Sequence, residues 1–348
     1  AGKEATHKMG FKALDIPAQY KDVNEWRIAE PGAIRESIRE QIKNATRPDA
    51  VSEYLDKAFI TDIEKFKTYK DKKTGFYNLD KEMGGLYAGL YVVGGISSVG
   101  KTTFAHQLGD QLAEQGEHVI YFSLEQSKLE LVSKSLARLT AKMDYNNAVT
   151  GISIRSGYIP EQVIKAAEAY QETAKRVNII EGNFNTTVES MRAYIERYML
   201  FNQVKPVVVI DYLQIIPGDP RLGDKQRVDS IVTELKRISR DLDITVFVIS
   251  SLNRGNYLTP IDFESFKESG IIEYTADVIW GLQLQAINDE IFNKEGKIKE
   301  KREKIKQAKA ADPRKIELVC LKNRNGKPSF SCGFTYYPKF DLFSPEPF

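Results

Sequence analysis

Apolar positions along the chain change their period repeatedly, and each change marks a different predicted element. Between residues 90 and 282, short apolar runs alternate with longer stretches whose apolar residues recur every three or four positions. The short runs predict strands at Leu90–Val93, Val119–Ser123, Val177–Ile180, Val207–Ile210, Thr245–Ile249 and Val278–Leu282. The longer stretches predict helices at Thr102–Gln115, Lys128–Lys142, Glu161–Lys175, Val188–Asn202 and Arg227–Leu242. Such alternation is typical of an α/β fold with a doubly wound, mostly parallel sheet.

The chain before this region follows other patterns. Ile34, Ile38 and Ile42 repeat every four residues and predict a helix from residue 32 to residue 45. This stripe suits packing on an adjacent copy of the chain as well as packing on its own domain. A second amphipathic piece covers Val51–Phe59, and the lysine-rich stretch Lys65–Gly75 predicts a turn-rich linker.

Near the other end, the runs Ile316–Lys322 and Ser329–Tyr336 flank an Asn-Gly turn and predict a C-terminal β-hairpin. We therefore expect three parts: an N-terminal remnant at residues 1–31, a helical linker at 32–73 and an α/β domain at 74–348.

Composition excludes several classes of protein. The hydrophobic fraction of 42% and charged fraction of 28% are those of a globular protein, and no apolar run approaches the roughly 20 residues of a membrane span. Cys320 and Cys332 lack metal-ligand spacing, so we expect buried thiols in a reduced, cytoplasmic setting. Basic residues outnumber acidic ones from Lys294 to Lys327, which suits either a solvated face or nucleic-acid phosphates.

A glycine-rich sequence follows the first predicted strand. Residues Gly95-Ile96-Ser97-Ser98-Val99-Gly100-Lys101-Thr102 fit the G-x-x-x-x-G-K-[ST] pattern of a Walker A loop. Glycines let the backbone wrap round phosphates, so that N–H groups and the helix N-terminus face the negative charge. We expect these residues and Thr103 to bind ATP, with Lys101 on the β- and γ-phosphates and the Thr102 hydroxyl on Mg²⁺.

Two carboxylates follow predicted strands of the same sheet. Asp211 closes an apolar strand in the manner of a Walker B aspartate, so we expect it to help hold Mg²⁺ at the edge where α/β sheets bind ligands. Glu125 ends another strand and is our candidate for the group that orients the attacking water.

Several sequence blocks together resemble the motor domain of DnaB-type replicative helicases and of bacteriophage primase–helicases, which has a RecA-like P-loop fold. They cover roughly Thr74 to Phe343, in the order found in that family. The most specific are Ile-Asp-Tyr-Leu-Gln at residues 210–214 and Lys-Asn-Arg-Asn-Gly at 322–326. The others are the Walker A loop and the blocks at 122–125, 250–254, 267–270 and 276–277.

The resemblance implies catalytic roles for specific residues. Glu125 would be the catalytic glutamate. Lys322 and Arg324 would point across a subunit interface, with Arg324 as an arginine finger on the neighbour's γ-phosphate. The planar guanidinium suits contact with a developing phosphoryl charge.

The resemblance also implies two DNA-contacting loops in a central channel. One contains Lys267, Glu268 and Gly270, with Arg254 upstream, and the other spans Pro217 to Arg227 with the cations Arg221, Lys225 and Arg227. Backbone contacts would dominate, so base identity should matter little. Either loop has an alternative interpretation as a solvated connection.

Two positions depart from the family pattern. Lys267 stands where many relatives carry arginine, which keeps the charge but loses bidentate phosphate geometry. Ser251 stands where relatives commonly carry a glutamine that senses the γ-phosphate. Serine is too short for that contact, so a relay would pass through water or Asn253.

The resemblance implies a ring-shaped homo-oligomer, expected to be a hexamer, that moves 5′→3′ on single-stranded DNA during replication. A primase domain or helicase loader would be a further partner, and no membrane is involved. Residues 1–31, with Tyr20–Trp26, look like the tail of a TOPRIM primase domain of a phage or prophage protein. Two alternatives stay open: a recombinase or clock-type ATPase that binds DNA without unwinding it, and an ATP-dependent loader or assembly module.

Overall fold

The computed structural model describes residues 17, 19–36, 51–183, 185–266 and 269–347. They form two units, one up to Thr68 and one from Tyr69 onwards. In the first unit, helix α1 (Val23–Ala29) begins after Asp22, whose carboxylate accepts hydrogen bonds from two backbone N–H groups of the first turn. Residues 31–36 are also helical, which agrees with the start of the predicted linker helix. Ile38 and Ile42 of the predicted stripe lie outside the described residues.

The predicted turn-rich linker at residues 65–75 is mostly helical instead. Helix α2 (Val51–Lys57) is followed by α3 (Phe59–Asp71), and the chain leaves helical geometry only after Asp71. The prediction was wrong because lysine is a good helix former, and neither glycine nor proline interrupts the stretch before Gly75. The density of charge had suggested a linker, although it is compatible with an exposed helix.

The second unit alternates strands and helices as predicted. Its strands are β1 (Gly89–Gly95), β2 (Val119–Ser123), β3 (Val177–Glu181), β4 (Val207–Asp211), β5 (Thr245–Ser251), β6 (Val278–Leu284), β7 (Arg314–Asn323), β8 (Phe330–Tyr337) and β9 (Leu342–Pro345). Its helices are α4 (Tyr77–Met83), α5 (Lys101–Glu114), α6 (Lys128–Met143), α7 (Gly151–Arg155), α8 (Glu161–Ala174), α9 (Val188–Asn202), α10 (Asp224–Asp241), α11 (Ser269–Thr275) and α12 (Ile298–Ala310).

Within the described residues these strands form one sheet in the order β3-β2-β4-β5-β1-β6-β7-β8-β9. The six strands from β3 to β6 are parallel, and β7, β8 and β9 are added antiparallel at one side. The predicted doubly wound α/β fold and its C-terminal hairpin are therefore confirmed. Strand β1 lies inside the sheet, so the glycine-rich loop that follows it is held by buried neighbours on both sides.

Burial explains why the strands form continuous apolar runs in the sequence. Every residue of β1, β2, β4 and β6 is buried, as expected for parallel strands covered on both faces. Cys320 and Cys332 are buried free thiols, as predicted. Burial raises the pKa of each to about 12, so neither is a reactive thiolate near neutral pH.

Two further differences affect the candidate functional regions. Helix α10 begins at Asp224, three residues before its predicted start, so Lys225 and Arg227 belong to its first turn rather than to a loop. Helix α12 occupies the lysine-rich run near residues 297–309, for which the sequence predicted no element. Its one buried residue, Ile305, is too weak a periodic signal to predict a helix.

Candidate active site

A pocket of about 550 Å³ opens at the edge of the sheet where the parallel strands β1, β2, β4 and β5 end. Helix α5 begins at this edge immediately after the glycine-rich loop. The pocket is lined by Ser97, Ser98, Gly100, Lys101, Thr102, Thr103, Glu125, Gln126, Lys134, Asp211, Tyr212, Ile249, Ser251, Arg314 and Tyr336. The parallel strands thus bring the predicted loop residues and both predicted carboxylates to one place.

The loop has the conformation that its glycine requires. Gly100 has φ +94°, and a Cβ there would lie 2.9 Å from Phe343 and 3.0 Å from Tyr336. The Lys101 ammonium donates to the backbone oxygen of Ile96 at 3.2 Å, and so spans the loop. Burial lowers the pKa of Lys101, although the charges of Asp211 and Glu125 oppose that shift. This largely desolvated cation is well placed for a phosphate.

Asp211 and Thr102 meet at the base of the pocket. The Asp211 carboxylate accepts hydrogen bonds from the Thr102 hydroxyl and from the Tyr121 hydroxyl, the latter at 3.0 Å. Burial raises the pKa of Asp211, and these two hydrogen bonds partly offset the rise. A hydroxyl and a carboxylate side by side are oxygen ligands that suit Mg²⁺, which takes the rest of its shell from phosphates and water.

Glu125 and Gln126 line the pocket at the end of β2. The Glu125 side chain is exposed and free to reach into the pocket, as its predicted role requires. The Gln126 Oε1 atom is buried and accepts no hydrogen bond from the described part of the chain. A buried amide oxygen without a protein donor is a place for a ligand or water.

Some residues of the predicted loop face elsewhere. Gly95, Ile96 and Val99 do not line the pocket, and the side chains of Ile96 and Val99 pack in the core. Thr103 lines it, but its hydroxyl donates to Asp341 at 2.9 Å. Some loop residues therefore hold the loop in shape while the others face the pocket.

Arg314 and Tyr336 lie beside the glycine-rich loop, although sequence patterns did not predict them as site residues. Arg314 donates to the Ser98 backbone oxygen at 2.7 Å, and its guanidinium carbon lies 5.8 Å from the centre of the Tyr336 ring. The two residues are a direct cross-strand pair of β7 and β8. Counting outward from the Asn325-Gly326 turn would have paired Arg314 with Tyr337, one residue away, because the observed register is shifted by one residue.

A glutamine does occupy the region of the unusual Ser251, although it comes from another part of the chain. Gln214 donates to the Ser250 hydroxyl at 3.0 Å and accepts from the Ser251 N–H at 3.1 Å. Beyond them, Asn253 donates to the backbone oxygens of Glu264 and Phe266, each at 3.2 Å. Hydrogen bonds therefore hold the chain both at the pocket wall, at residues 250–251, and two residues further on, where Asn253 contacts residues 264 and 266.

Lys322 and Arg324 lie at the opposite ends of the strands from the pocket, where β1 and β6 begin. Strand β7 runs antiparallel to β6, so it carries its last residues to the start of β6 and β1. The Arg324 N–H donates to the Asp277 backbone oxygen, and the Asp277 N–H donates to that of Leu90. The length of β1, about 20 Å, therefore separates Arg324 from the loop of its own chain, beyond the reach of an arginine side chain.

Both cations are held by groups around α11 and Asp277. Arg324 contacts an Asp277 carboxylate oxygen at 3.2 Å and the Tyr274 backbone oxygen at 3.3 Å, while Lys322 donates to the Glu273 backbone oxygen at 2.5 Å. Burial lowers the pKa of Lys322, and the nearby Arg324 charge adds to the effect. The other Asp277 oxygen accepts from the Leu90 N–H and from Lys236.

The predicted DNA-contacting residues are only partly described. Lys267, Glu268 and the side chain of Arg254 lie outside the described residues, while Gly270 is exposed near the start of α11. A bridge between Leu252 and Phe266 closes the connection that precedes them. This bridge holds Phe266 close to the end of β5.

The cations of the second predicted loop are engaged within it. Arg221 is highly exposed and pairs with Asp219 at 2.6 Å. Arg227 pairs with Asp224 at 3.0 Å, and Lys225 is exposed in the same helical turn. The helix begins early because Gly223 ends the loop and Asp224 is favourable in a first turn.

Two negative findings apply to the described ranges only. Their His, Cys, Asp and Glu side chains contain no group of three or more that could hold a metal ion. None of their helices is both long and apolar enough to span a bilayer.

Comparison with known proteins gives one family. The protein-family model for the DnaB-like helicase C-terminal domain matches residues 72–344. The chain is 26% identical over 301 residues to the replicative DNA helicase DnaB of Helicobacter pylori and 29% identical over 262 residues to that of Geobacillus stearothermophilus. These alignments cover 78% and 73% of this chain but 60% and 52% of the relatives, so the chain spans little more than half of their length.

Solved structures agree on the fold. One solved ATPase domain matches with a TM-score of 0.68 at 21% identity, covering 84% of this chain and 99% of that domain. A DnaB-like replicative helicase, studied for its interactions with primase, matches with a TM-score of 0.66 at 21% identity, covering 92% of this chain and 76% of that one. A KaiC-like protein from Pyrococcus horikoshii matches with a TM-score of 0.50 at 19% identity, covering 79% and 98%.

Proposed function

This chain belongs to the family of DnaB-like helicase C-terminal domains, and on that premise we propose that it is an ATP-driven DNA helicase motor acting in DNA replication. The observation that carries the proposal is the position of Arg324, at the opposite edge of the sheet from its own nucleotide loop. Only a neighbouring copy could bring that guanidinium to the triphosphate, as in a ring of head-to-tail contacts. Mixed variants test this directly, as described below.

The pocket residues take distinct roles in ATP hydrolysis. Lys101 and the loop N–H groups bind the β- and γ-phosphates, and Glu125 orients the attacking water. Thr102 and Asp211 would hold Mg²⁺, which would neutralise part of the phosphate charge. Arg314 lies over the buried Tyr336 ring, and its guanidinium plane at the pocket wall is a surface on which the nucleotide base would stack.

The neighbouring subunit supplies Arg324, with Lys322 beside it, to the charge that develops on the γ-phosphate. A finger donated from outside the site is worth roughly 10³–10⁵ in rate. The contacts with Asp277 and the Tyr274 backbone support this role, because they orient the guanidinium before the interface forms. Fewer side-chain rotamers then have to be lost on assembly.

DNA binding is assigned to the two loops named from the sequence. We propose that Lys267, Glu268, Gly270 and Arg254 form one contact with single-stranded DNA, and that Arg221, Lys225 and Arg227 form the other. The Arg221 ion pair is exposed, and so is Asp224, the partner of the half-buried Arg227, so a DNA phosphate can replace either carboxylate at little cost. Movement 5′→3′, a hexameric ring, a primase or loader partner and action in the cytoplasm are proposed from the family resemblance.

The test mixes two inactive variants. We expect Lys101→Ala and Arg324→Ala each to lose ATP hydrolysis about 10³-fold or more. In a one-to-one mixture, an Arg324→Ala subunit keeps its loop and can receive the finger of a Lys101→Ala neighbour. About a quarter of the interfaces then have both parts, because heterologous contacts combine copies at random. ATPase activity should therefore recover in the mixture.

Arg237→Ala is the matched control, because Arg237 is an exposed arginine that forms a local ion pair with Glu234. It should retain full activity alone. A mixture of Lys101→Ala and Arg324→Ala as inactive as its components, at concentrations where rings form, would refute donation between subunits.

A second candidate function keeps the fold but not the unwinding. The fold is shared with a KaiC-like protein, so it also suits a clock-type ring ATPase, and a slow assembly or loader module is the remaining alternative. Displacement of a labelled strand from forked DNA separates these functions, since only a motor releases the strand in an ATP-dependent manner. The interpretation of residues 1–31 as a TOPRIM remnant of a phage primase–helicase stays a prediction.

A further inference from the structure

Helix α12 is a basic element at the same edge of the sheet as the nucleotide pocket. It connects the end of β6 to the start of β7, and both of those points lie at that edge. Six of its thirteen residues are lysine or arginine and two are glutamate. The charge of its last lysine, Lys309, also reaches the pocket, where it contributes to lowering the pKa of Lys101.

The cations of α12 divide into two sets. Lys301 donates to the Phe292 backbone oxygen at 3.0 Å, Lys304 pairs with Asp289, and Lys309 lies over the ring of Tyr257. These three contacts and the buried Ile305 fix the helix to the domain. Each of these cations therefore already has a structural partner.

The second set is Lys299, Arg302 and Lys306, named below as the outer stripe. Spacings of three and four residues place them on one face of the helix. All three are exposed, and none forms an ion pair with any described residue. Glu303 is the acidic residue nearest to that face. The outer stripe thus leaves two net positive charges within about 10 Å of helix length.

The position of α12 connects it with the proposed DNA-binding region. It packs on the turn Arg254–Leu258, which directly follows β5. The same connection returns to the sheet at the bridge between Leu252 and Phe266, just before the proposed loop at residues 267–270. The outer stripe and this loop are therefore attached to one short connection.

We propose that the outer stripe of α12 is an additional contact for the phosphate backbone of DNA. This rests on the proposed DNA-motor function and extends it to a surface outside the two loops. The positive charge of the outer stripe favours DNA as the partner. Binding of these lysine and arginine side chains to a polyanion is favourable because it releases the counterions condensed on that polyanion. The ligand is one of two DNA sources, the strand held by the ring or the duplex next to it.

The experiment compares two triple variants of the full chain. One is Lys299→Ala/Arg302→Ala/Lys306→Ala. The control is Lys165→Ala/Lys175→Ala/Arg237→Ala, which removes two lysines and one arginine from exposed positions elsewhere. Both change the net charge equally, and alanine maintains helix propensity. DNA-independent ATPase activity should match the wild type in both.

The readout is the salt dependence of binding, measured by fluorescence anisotropy with oligo(dT) and with forked duplex DNA. Each lost phosphate contact should reduce the slope of log K against log salt by about one unit, so the outer-stripe variant should lose about two to three units. The control should keep the wild-type slope. A change on both substrates identifies the held strand as ligand, and a change on the fork alone identifies the duplex.

Slopes identical to the wild type on both substrates would overturn the proposal while leaving the motor function in place. A wild-type chain that binds neither DNA would overturn both. An equal loss in the control variant would also overturn it, because the effect would then follow net charge rather than the outer stripe.

Discussion

At the base of the pocket, the protonation state of Asp211 that favours folding differs from the one that the proposed chemistry needs. Asp211 is buried and has its pKa raised by that burial, so its ionised form is disfavoured in the folded protein. The proposed ligation of Mg²⁺ requires the same ionised form. The folded protein therefore maintains a carboxylate that reduces its stability near neutral pH, as is common at functional sites.

We expect Asp211→Asn to separate these two effects. Because the folded-state pKa is raised, the stabilising contribution of this group is complete below the unfolded pKa and is lost as pH rises through the folded pKa. Asparagine does not titrate, so without Mg²⁺ and nucleotide the variant should have a Tm at pH 7 equal to or above that of the wild type. This advantage should vanish towards pH 4, while hydrolysis falls about a hundredfold or more. Thermal denaturation from pH 4 to 7.5 measures this, and a Tm below wild type at pH 7 would contradict it.

The sequence predicted residues with local signals and missed those that depend on pairing. Lys101, Thr102 and Asp211 follow apolar strands in recognisable patterns, and the fold brings them together. Arg314 carries no local signal, because its position depends on the register of β7, and the block at 210–214 contains Gln214 without predicting its contact with the end of β5. Local pattern and long-range geometry are separate sources of information.

At the scale of elements, strand β1 joins the pocket to the connection before the proposed DNA loop. A Cβ at Gly94 would lie 2.3 Å from the ring of Phe266, which is buried directly before the proposed loop. Gly109, inside α5, has only an ordinary 3.4 Å neighbour, Val119. The first glycine therefore permits a close approach, whereas the second leaves room for a methyl group.

Gly94→Ala should destabilise the protein by about 1–3 kcal/mol, because the added methyl group overpacks a filled core. Displacement of Phe266 should also weaken binding to oligo(dT). Gly109→Ala is the matched control and should stabilise the protein by roughly 0.5–1 kcal/mol through helix propensity. Urea denaturation gives both values, and similar signs for the two variants would show that the Gly94 contact is unimportant.

Two of the helices that sequence patterns failed to predict, α3 and α12, each contain several lysines. Helix α12 has one buried residue and α3 has none, so neither helix contributes much to the buried core. Such helices become evident only when the surrounding surface is known.

At the scale of the whole molecule, the proposed motor requires copies that close on themselves. The nucleotide loop and Arg324 lie at opposite ends of the strands of one sheet, so in the proposed motor every copy would present one half of a site on each side. Such heterologous contacts produce closed rings or open filaments, depending on the rotation between neighbours. No pattern within one chain specifies that rotation, which is why only the family resemblance predicts a copy number.

We expect the full chain with a non-hydrolysable ATP analogue and oligo(dT) to form closed rings of six copies. Mass photometry gives the copy number, and negative-stain electron microscopy gives the closure. The chain without nucleotide is the control and should be smaller, because the nucleotide lies at the contact between copies. Open helical filaments under the same conditions would favour the recombinase-type alternative.

Strand β7 has a mechanical consequence for such a ring. It begins at Arg314 beside one nucleotide loop and leads directly to Arg324, which is proposed to serve the next one. The catalytic centres would be linked by a covalent spacer of about 30 Å that does not stretch. A one-residue insertion within β7 would turn half of its side chains to the wrong face, and a two-residue insertion would keep the faces but lengthen the spacer by about 7 Å. The distance between neighbouring catalytic centres would thus be set by the number of residues in β7.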